Sequence, residues 1–243
     1  MRLSAPCKLR RALLPLLPFL LAGCALQPRA PVTPAAPVAA AAPHTGAPHD
    51  VAAAESLLII RVYRAGTLAS AGHNHVIACH ALSGTLYVPA EVLASSFEVR
   101  VPVAELTVDE ESLRAAEHSP DFPPQVPDSA REGTRRNMLG ATLLDAEHYP
   151  QIELRALGLT SGAPAPDGAA TVLARVEVTL KGQAHVISVP VSYRRSGDTV
   201  IASGSTALKQ SELGLTPFSA LLGALQVQDE MRLSFRIVAH AAR

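Results

Sequence analysis

The stretch from Phe97 to Val103 alternates with a period of two: Phe97, Val99, Val101 and Val103 on one side of an extended chain, Glu98, Arg100, Pro102 and Ala104 on the other. Successive strand side chains point to opposite faces, so this segment predicts a strand with one face directed at a core. Leu82 to Val88 precedes it across a turn at Pro89-Ala90-Glu91, and the two together read as a hairpin. A single hairpin is marginal in water, so the rest of the chain has to supply further strands.

It does so. Ser56 to Tyr63 is apolar and rich in β-branched residues, and Val76 to Ala81 predicts a second strand that runs into Leu82 to Val88 through a bend near Ser83-Gly84. Extended pattern stops from Glu105 to Tyr149. Within that excursion Glu110 to His118 predicts a short helix, Ser119 to Pro127 holds four prolines, and Ser129 to Glu132 has the form of a capping box opening a helix towards Leu144. Strands resume at Tyr149 to Leu154, Thr171 to Leu180, Val186 to Tyr193 and Thr199 to Leu208, and Asp229 to Ala239 ends the series. Pro190 marks an edge, a bulge or a lapse in the ladder, and Thr216-Pro217 predicts the start of a short apolar helix. Eight or so strands with hairpin-length connections and one or two short helices predict an all-β antiparallel sheet closed into a barrel, since closure removes exposed edges. An eight-stranded barrel has an interior that side chains just fill or that holds one small ligand.

The N-terminus reads as an address. Met1 to Arg11 is basic, and Ala12 to Leu20 is an apolar run too short to span a bilayer, as in a secretory signal. Leu21-Ala22-Gly23-Cys24 resembles the lipobox of bacterial lipoproteins, in which the cysteine thiol receives a diacylglyceryl group; the alternative is an ordinary signal followed by a chance cysteine. The lipobox reading makes residues 1–23 a signal peptide, Cys24 a lipid anchor in the membrane, and the Ala/Pro-rich segment 24–54 a tether. Ala25 after the cysteine, where the resemblance places Asp for inner-membrane retention, favours the outer membrane. His44 and His49 then count as incidental residues of the tether, and the folded domain is expected over 55–243. Cys79 is the one cysteine left in that domain, and it reads as a small buried hydrophobe.

Composition narrows the function. The first 23 residues hold four bases and no acids, so the remainder carries 17 bases against 21 acids, a balance of −4. Duplex nucleic acid would call for a basic stripe, and a platform for single strands for aromatics, yet aromatics are 4% and Trp is absent. Neither partner is expected. No Gly-x-Ser-x-Gly elbow, phosphate loop or Cys/His ladder occurs, so no catalytic residue is assigned and the chain is not expected to be an enzyme.

Five segments in order, Leu82-Ser83-Gly84-Thr85-Leu86, Ser95 to Pro102, Leu144-Asp145-Ala146-Glu147-His148-Tyr149-Pro150-Gln151-Ile152, Val178 to Gly182 and Ser211 to Leu215, resemble the YceI-like family from about Ser56 to Ala239. The resemblance implies a lipocalin-like β-barrel whose long apolar channel holds an isoprenoid chain, in a secreted protein. Two departures stand out. Lys209-Gln210-Ser211-Glu212 occupies the place of the family's usual Asn-Arg pair before an acidic residue, and Ser119 to Pro127 looks like an insertion.

Phe97, Val99, Val101, Ile187, Val189, Leu233 and Phe235 are the ligand-contact candidates on the inward faces, plain core packing being the alternative for each. His73 and His75, in Gly72-His73-Asn74-His75, are candidates for contact with a ligand headgroup. The blander reading is that they pack at the barrel mouth with hydrogen-bonded ring nitrogens, and a third is that, with His80 or His118, they begin a metal site, although two ligands do not make one. No metal and no resident cofactor is assigned. The expected partner is an isoprenoid lipid or quinone, and a ligand-free scaffold with a solid barrel is the competing reading.

Overall fold

The structure is a computed structural model that describes residues 40–163 and 170–242. The expected signal peptide, Cys24, most of the tether and residues 164–169 of the turn after Thr160 lie outside the described residues. In chain order the elements are β1 (Ala47–Val51), β2 (Leu57–Ala65), β3 (His75–Cys79), β4 (Ser83–Val88), β5 (Ser96–Pro102), β6 (Thr107–Val108), α1 (Glu111–Ala115), α2 (Asp128–Leu139), β7 (Gln151–Ser161), β8 (Thr171–Leu180), β9 (Gln183–Ser196), β10 (Thr199–Lys209), β11 (Ser219–Ala220) and β12 (Leu225–Ala241).

Eight of these strands form a ring in the order β1-β4-β5-β7-β8-β9-β10-β12, and β12 returns to β1. Every neighbouring pair is antiparallel. The remaining strands lengthen three of the rungs. β2 continues β1 beyond a 3₁₀ turn at Ala53–Glu55 and pairs with β12, β3 pairs with β2, and β6 continues β5 beyond Val103–Glu105 and pairs with β3. The expected eight-rung barrel is thus present, with bends in three rungs that alternation alone does not reveal. Gly84 sits at one tight spot: its φ is +141°, and a Cβ there would stand 2.0 Å from the Glu98 carbonyl oxygen on β5.

The barrel also begins earlier than expected. The segment read as tether up to residue 54 contains β1, which bonds to β4 on one side and to β12 on the other. Composition misled here because alanine and proline are both depleted in strands, while a strand tolerates a proline wherever its N–H is not needed. Pro48 still offers its carbonyl, which accepts from the Ala242 N–H at 3.0 Å. His49 is only 1% exposed, and His44 stacks on Tyr87 with ring centroids 4.1 Å apart and lies 3.5 Å from Glu98. Both histidines belong to the folded body.

Pro190 does interrupt a ladder. β9 pairs with β8 from Gln183 to Ser192, but with β10 only from Ser192 to Ser196. Below Pro190 the segment Gln210–Leu213 and its neighbours lie against this seam, where Gly214, at φ +69°, packs on His185. The same segment grips a bulge in β12: Ser211 donates its N–H and hydroxyl to Asp229 at 2.9 and 2.6 Å, and Gln210 donates to the Gln228 carbonyl at 2.8 Å. Ser211 thereby draws the Asp229 carboxyl below its ordinary range. The short helix expected after Thr216 does not form; a 3₁₀ turn at Leu221–Gly223 and the two-residue β11 take its place. Hairpin pairing of β11 with β12 outcompetes one helical turn that has no tertiary partner. Both helices of the excursion form, α1 within the expected Glu110–His118 span, and α2 with Pro127 in place of Ser129 at its N-cap, without a side-chain cap, ending at Leu139 short of Leu144.

A chain that begins at Ala53 lacks the closing strand. It is expected to melt several degrees below one that begins at Ala40, followed by near-ultraviolet circular dichroism. Equal melting temperatures would show that β1 is dispensable.

Candidate functional site

Alternation along the eight rungs turns their apolar residues inward, yet the side chains do not fill the interior. A cavity of about 290 Å³ remains, near the lower end of ligand-pocket volumes of about 300–1,000 Å³. Its wall draws on every rung of the barrel. Phe97, Val99 and Val101 from β5, Ile187 and Val189 from β9, and Leu233 and Phe235 from β12 all line it. Gly204 makes room for one of them, since a Cβ there would approach the Phe235 ring to 2.8 Å. Leu58, Ile60 and Val62 of β2 and Val176 and Val178 of β8 complete the same surface.

Residues outside the alternating strands contribute where sequence periodicity could not point to them. Met138 of α2, Leu143 and Leu144 just beyond it, and Leu213 from the segment after β10 also line the cavity. The helical excursion is therefore part of the pocket wall. Among the described residues no Asp, Glu, Lys, Arg or His side chain lines it. Such a wall contributes through area and dispersion, at about 0.8 kcal/mol for each ligand methylene buried, and imposes a heavy desolvation cost on any charge placed inside.

His73 and His75, expected at a ligand headgroup or barrel mouth, do not line the cavity. His75 is buried, its Nδ1 is 2.6 Å from Asp109 Oδ2, and its Nε2 is 3.0 Å from the Thr134 hydroxyl of α2. A carboxylate only accepts, so Nδ1 carries the proton towards Asp109. Asp109 Oδ1 accepts from the Val76 N–H at 2.9 Å and from Arg114 Nη1 at 2.6 Å, and Arg114 further donates to the Asn74 and Pro123 carbonyls. Burial alone would push the Asp109 carboxyl up, but the His75 and Val76 hydrogen bonds and the Arg114 charge outweigh it and hold the group below its ordinary value. Burial pushes the His73 imidazole down, with His75 and Arg114 adding to the effect.

Carboxylate, imidazole and hydroxyl follow the order of a nucleophilic triad. Here, however, Arg114 already neutralises the carboxylate, and Thr134 lies within a helix and off the cavity wall. The group works as a fastener. It ties β3, α1, the proline-rich stretch and α2 together, and so positions the helix that bears Met138. Arg135 adds to it by donating to the Leu106 and Ala104 carbonyls. Among the described residues no three His, Cys, Asp or Glu side chains gather as metal ligands. Cys79 is fully buried in the core, and burial pushes its thiol up.

Asp109→Asn leaves Arg114 buried without its counter-charge, and a loss of roughly 3 kcal/mol is expected at pH 7 in urea unfolding. Because the folded carboxyl titrates below the unfolded one, its contribution is complete above about pH 4 and is lost as pH falls through the folded value. The gap between wild type and variant should therefore close on acidification; a gap that is constant with pH would refute the charge account. Iodoacetamide at pH 8 is expected to label Cys79 only after denaturation, as read by mass spectrometry.

A family model described as YceI-like domain matches residues 63–239. Among solved structures, that of Burkholderia cenocepacia BcnA is 20% identical and aligns over 78% of this chain and 99% of its own, with a TM-score of 0.53. A polyisoprenoid binding domain from Saccharophagus degradans implicated in plant cell wall breakdown is 12% identical, aligns over 80% of this chain and 98% of its own, and scores 0.51. No curated protein sequence matches. At these identities the structural likeness is one of fold.

Proposed function

We propose that this chain, which belongs to the YceI-like domain family, binds a long apolar ligand of the polyisoprenoid or isoprenoid-quinone class inside its barrel and shields it from water. The observation that carries the reading is the unfilled interior, whose wall comes from every rung and, among the described residues, contains no Asp, Glu, Lys, Arg or His. A ligand-free scaffold would have its barrel filled by side chains, and a cavity of about 290 Å³ argues against that. The polyisoprenoid binding domain of Saccharophagus degradans, with the same fold, supports the ligand class.

The role is one of binding, for carriage, storage or protection in the envelope. Burying ten methylenes would contribute on the order of 8 kcal/mol without a catalytic group. Cys24 anchors the protein to a membrane, the outer one favoured, and the residues after it let the barrel face the periplasm. The lipobox-like Leu21-Ala22-Gly23-Cys24 supports this placement.

Native mass spectrometry of the protein exported to a Gram-negative periplasm, followed by solvent extraction, tests the reading. A stoichiometric isoprenoid mass is expected. Val99→Arg and Val189→Arg each put a charge on the cavity wall and should abolish retention in a protein that still shows native circular dichroism. An apo mass, with no uptake of added isoprenoid quinone, would overturn the proposal.

A further inference from the structure

The cavity wall is apolar throughout except at a few positions, and two of these are adjacent. Ser95 and Ser96 stand where the 3₁₀ turn Val92–Ala94 passes into β5, and both line the cavity. Each has its hydroxyl oxygen buried without a hydrogen-bond partner. Ser96 is only 2% exposed as a whole residue. Ser95 has extended backbone angles, φ −68° and ψ 151°, so strand alternation puts its side chain on the same side as Phe97, Val99 and Val101, whereas Ser96, paired with Tyr87, turns its side chain to the other face.

Buried hydroxyls are nearly always paired, and one left unpaired costs about 1–3 kcal/mol. The Ser95 hydroxyl, on the inward face of an otherwise apolar wall, calls for a missing partner. The turn itself does not supply one, because its local needs are met elsewhere: the Ser95 N–H bonds to the Val92 carbonyl, the Leu93 N–H to the Glu91 side chain, and the Ala94 carbonyl accepts from Thr45. The Ser95 hydroxyl is left over for something in the cavity.

We propose that the Ser95 hydroxyl docks an uncharged oxygen function at the end of the apolar ligand, a quinone carbonyl or a prenol hydroxyl, and thereby sets which way round the ligand lies. This deepens the carrier reading and rests on it. The hydroxyl can donate to a carbonyl or exchange donor and acceptor roles with an alcohol. A phosphate or pyrophosphate headgroup does not fit, since among the described residues no Lys, Arg or His lines the cavity to offset its charge. The site selects against bare hydrocarbon as well, because a chain without oxygen leaves the Ser95 hydroxyl unsatisfied.

The test compares three additives on the purified full-length protein: an isoprenoid ubiquinone, squalene as a hydrocarbon of the same chemical type, and a polyprenyl phosphate. Wild type is expected to retain the quinone most tightly and to reject the phosphate. Ser95→Ala should lose roughly fivefold in affinity for the quinone, about what one neutral hydrogen bond contributes, with squalene affinity unchanged or improved. Ser95→Thr, which keeps the hydroxyl, should retain most of the quinone affinity. Equal losses for quinone and squalene would reduce the serine to packing, and an unchanged quinone affinity would mean that water satisfies it; either result overturns the proposal. If wild type takes up neither quinone nor squalene, the carrier reading fails first, and that failure shows before any variant is made.

Discussion

Three residue pairs decide what kind of object this protein is. His49, Asp50 and Val51 of β1 lie opposite Ala241, His240 and Ala239 of β12, and with those pairs the sheet becomes a ring. A backbone ladder left open would expose a row of donors and acceptors on β4 and on the end of β12, whereas closure satisfies both. Closure also defines an inside. Alternation then sorts every rung into an inner apolar and an outer polar set, and the enclosed volume follows from the number of rungs.

Polar chemistry is kept outside that volume and used for assembly. Asp109, His75 and Arg114 meet on the flank of β3 and fasten the excursion between β6 and β7. On the same side of the molecule Arg61 of β2 pairs with Glu117 beyond α1, and the Tyr63 ring meets Phe122 edge-on at 5.6 Å. A buried ionic cluster adds little net stability compared with good apolar packing, but it fixes one arrangement, because any other leaves a charge stranded. Here the arrangement it fixes brings Met138 and Leu144 to the cavity. The second grip, Ser211 on the Asp229 bulge, does the same for Leu213.

Much of the barrel was legible because period-two alternation is a local property that tertiary contacts reinforce. Phe97, Val99, Val101, Ile187, Val189, Leu233 and Phe235 could be put on the inner face from the sequence, and each lines the cavity. β1 was hidden by composition: Ala47-Pro48-His49-Asp50-Val51 has little strand propensity and takes its conformation from the two strands it joins. His75 was legible only in part: a packed histidine with hydrogen-bonded ring nitrogens could be expected, its partners could not. Its neighbour His73 and its place in a strand suggested a ligand-facing pair, but its partners Asp109 and Thr134 lie 34 and 59 residues further on, and only the fold brings them together. Met138 was out of reach for the same reason. Helical residues reach the cavity by docking, and docking leaves no periodic trace in the strands.

The hollow interior has a mechanical side. Wall atoms that face a void lack dispersion partners across it, and unfolding eliminates that void, so the folded state without ligand occupies more volume than its unfolded chain in water. Hydrostatic pressure therefore pushes the empty barrel towards unfolding. A chain threaded through the cavity fills the void and removes the volume difference, in addition to stabilising the fold by mass action. The cavity thus makes compressibility a reporter of occupancy: the loaded protein is the stiff one, and the empty one yields first.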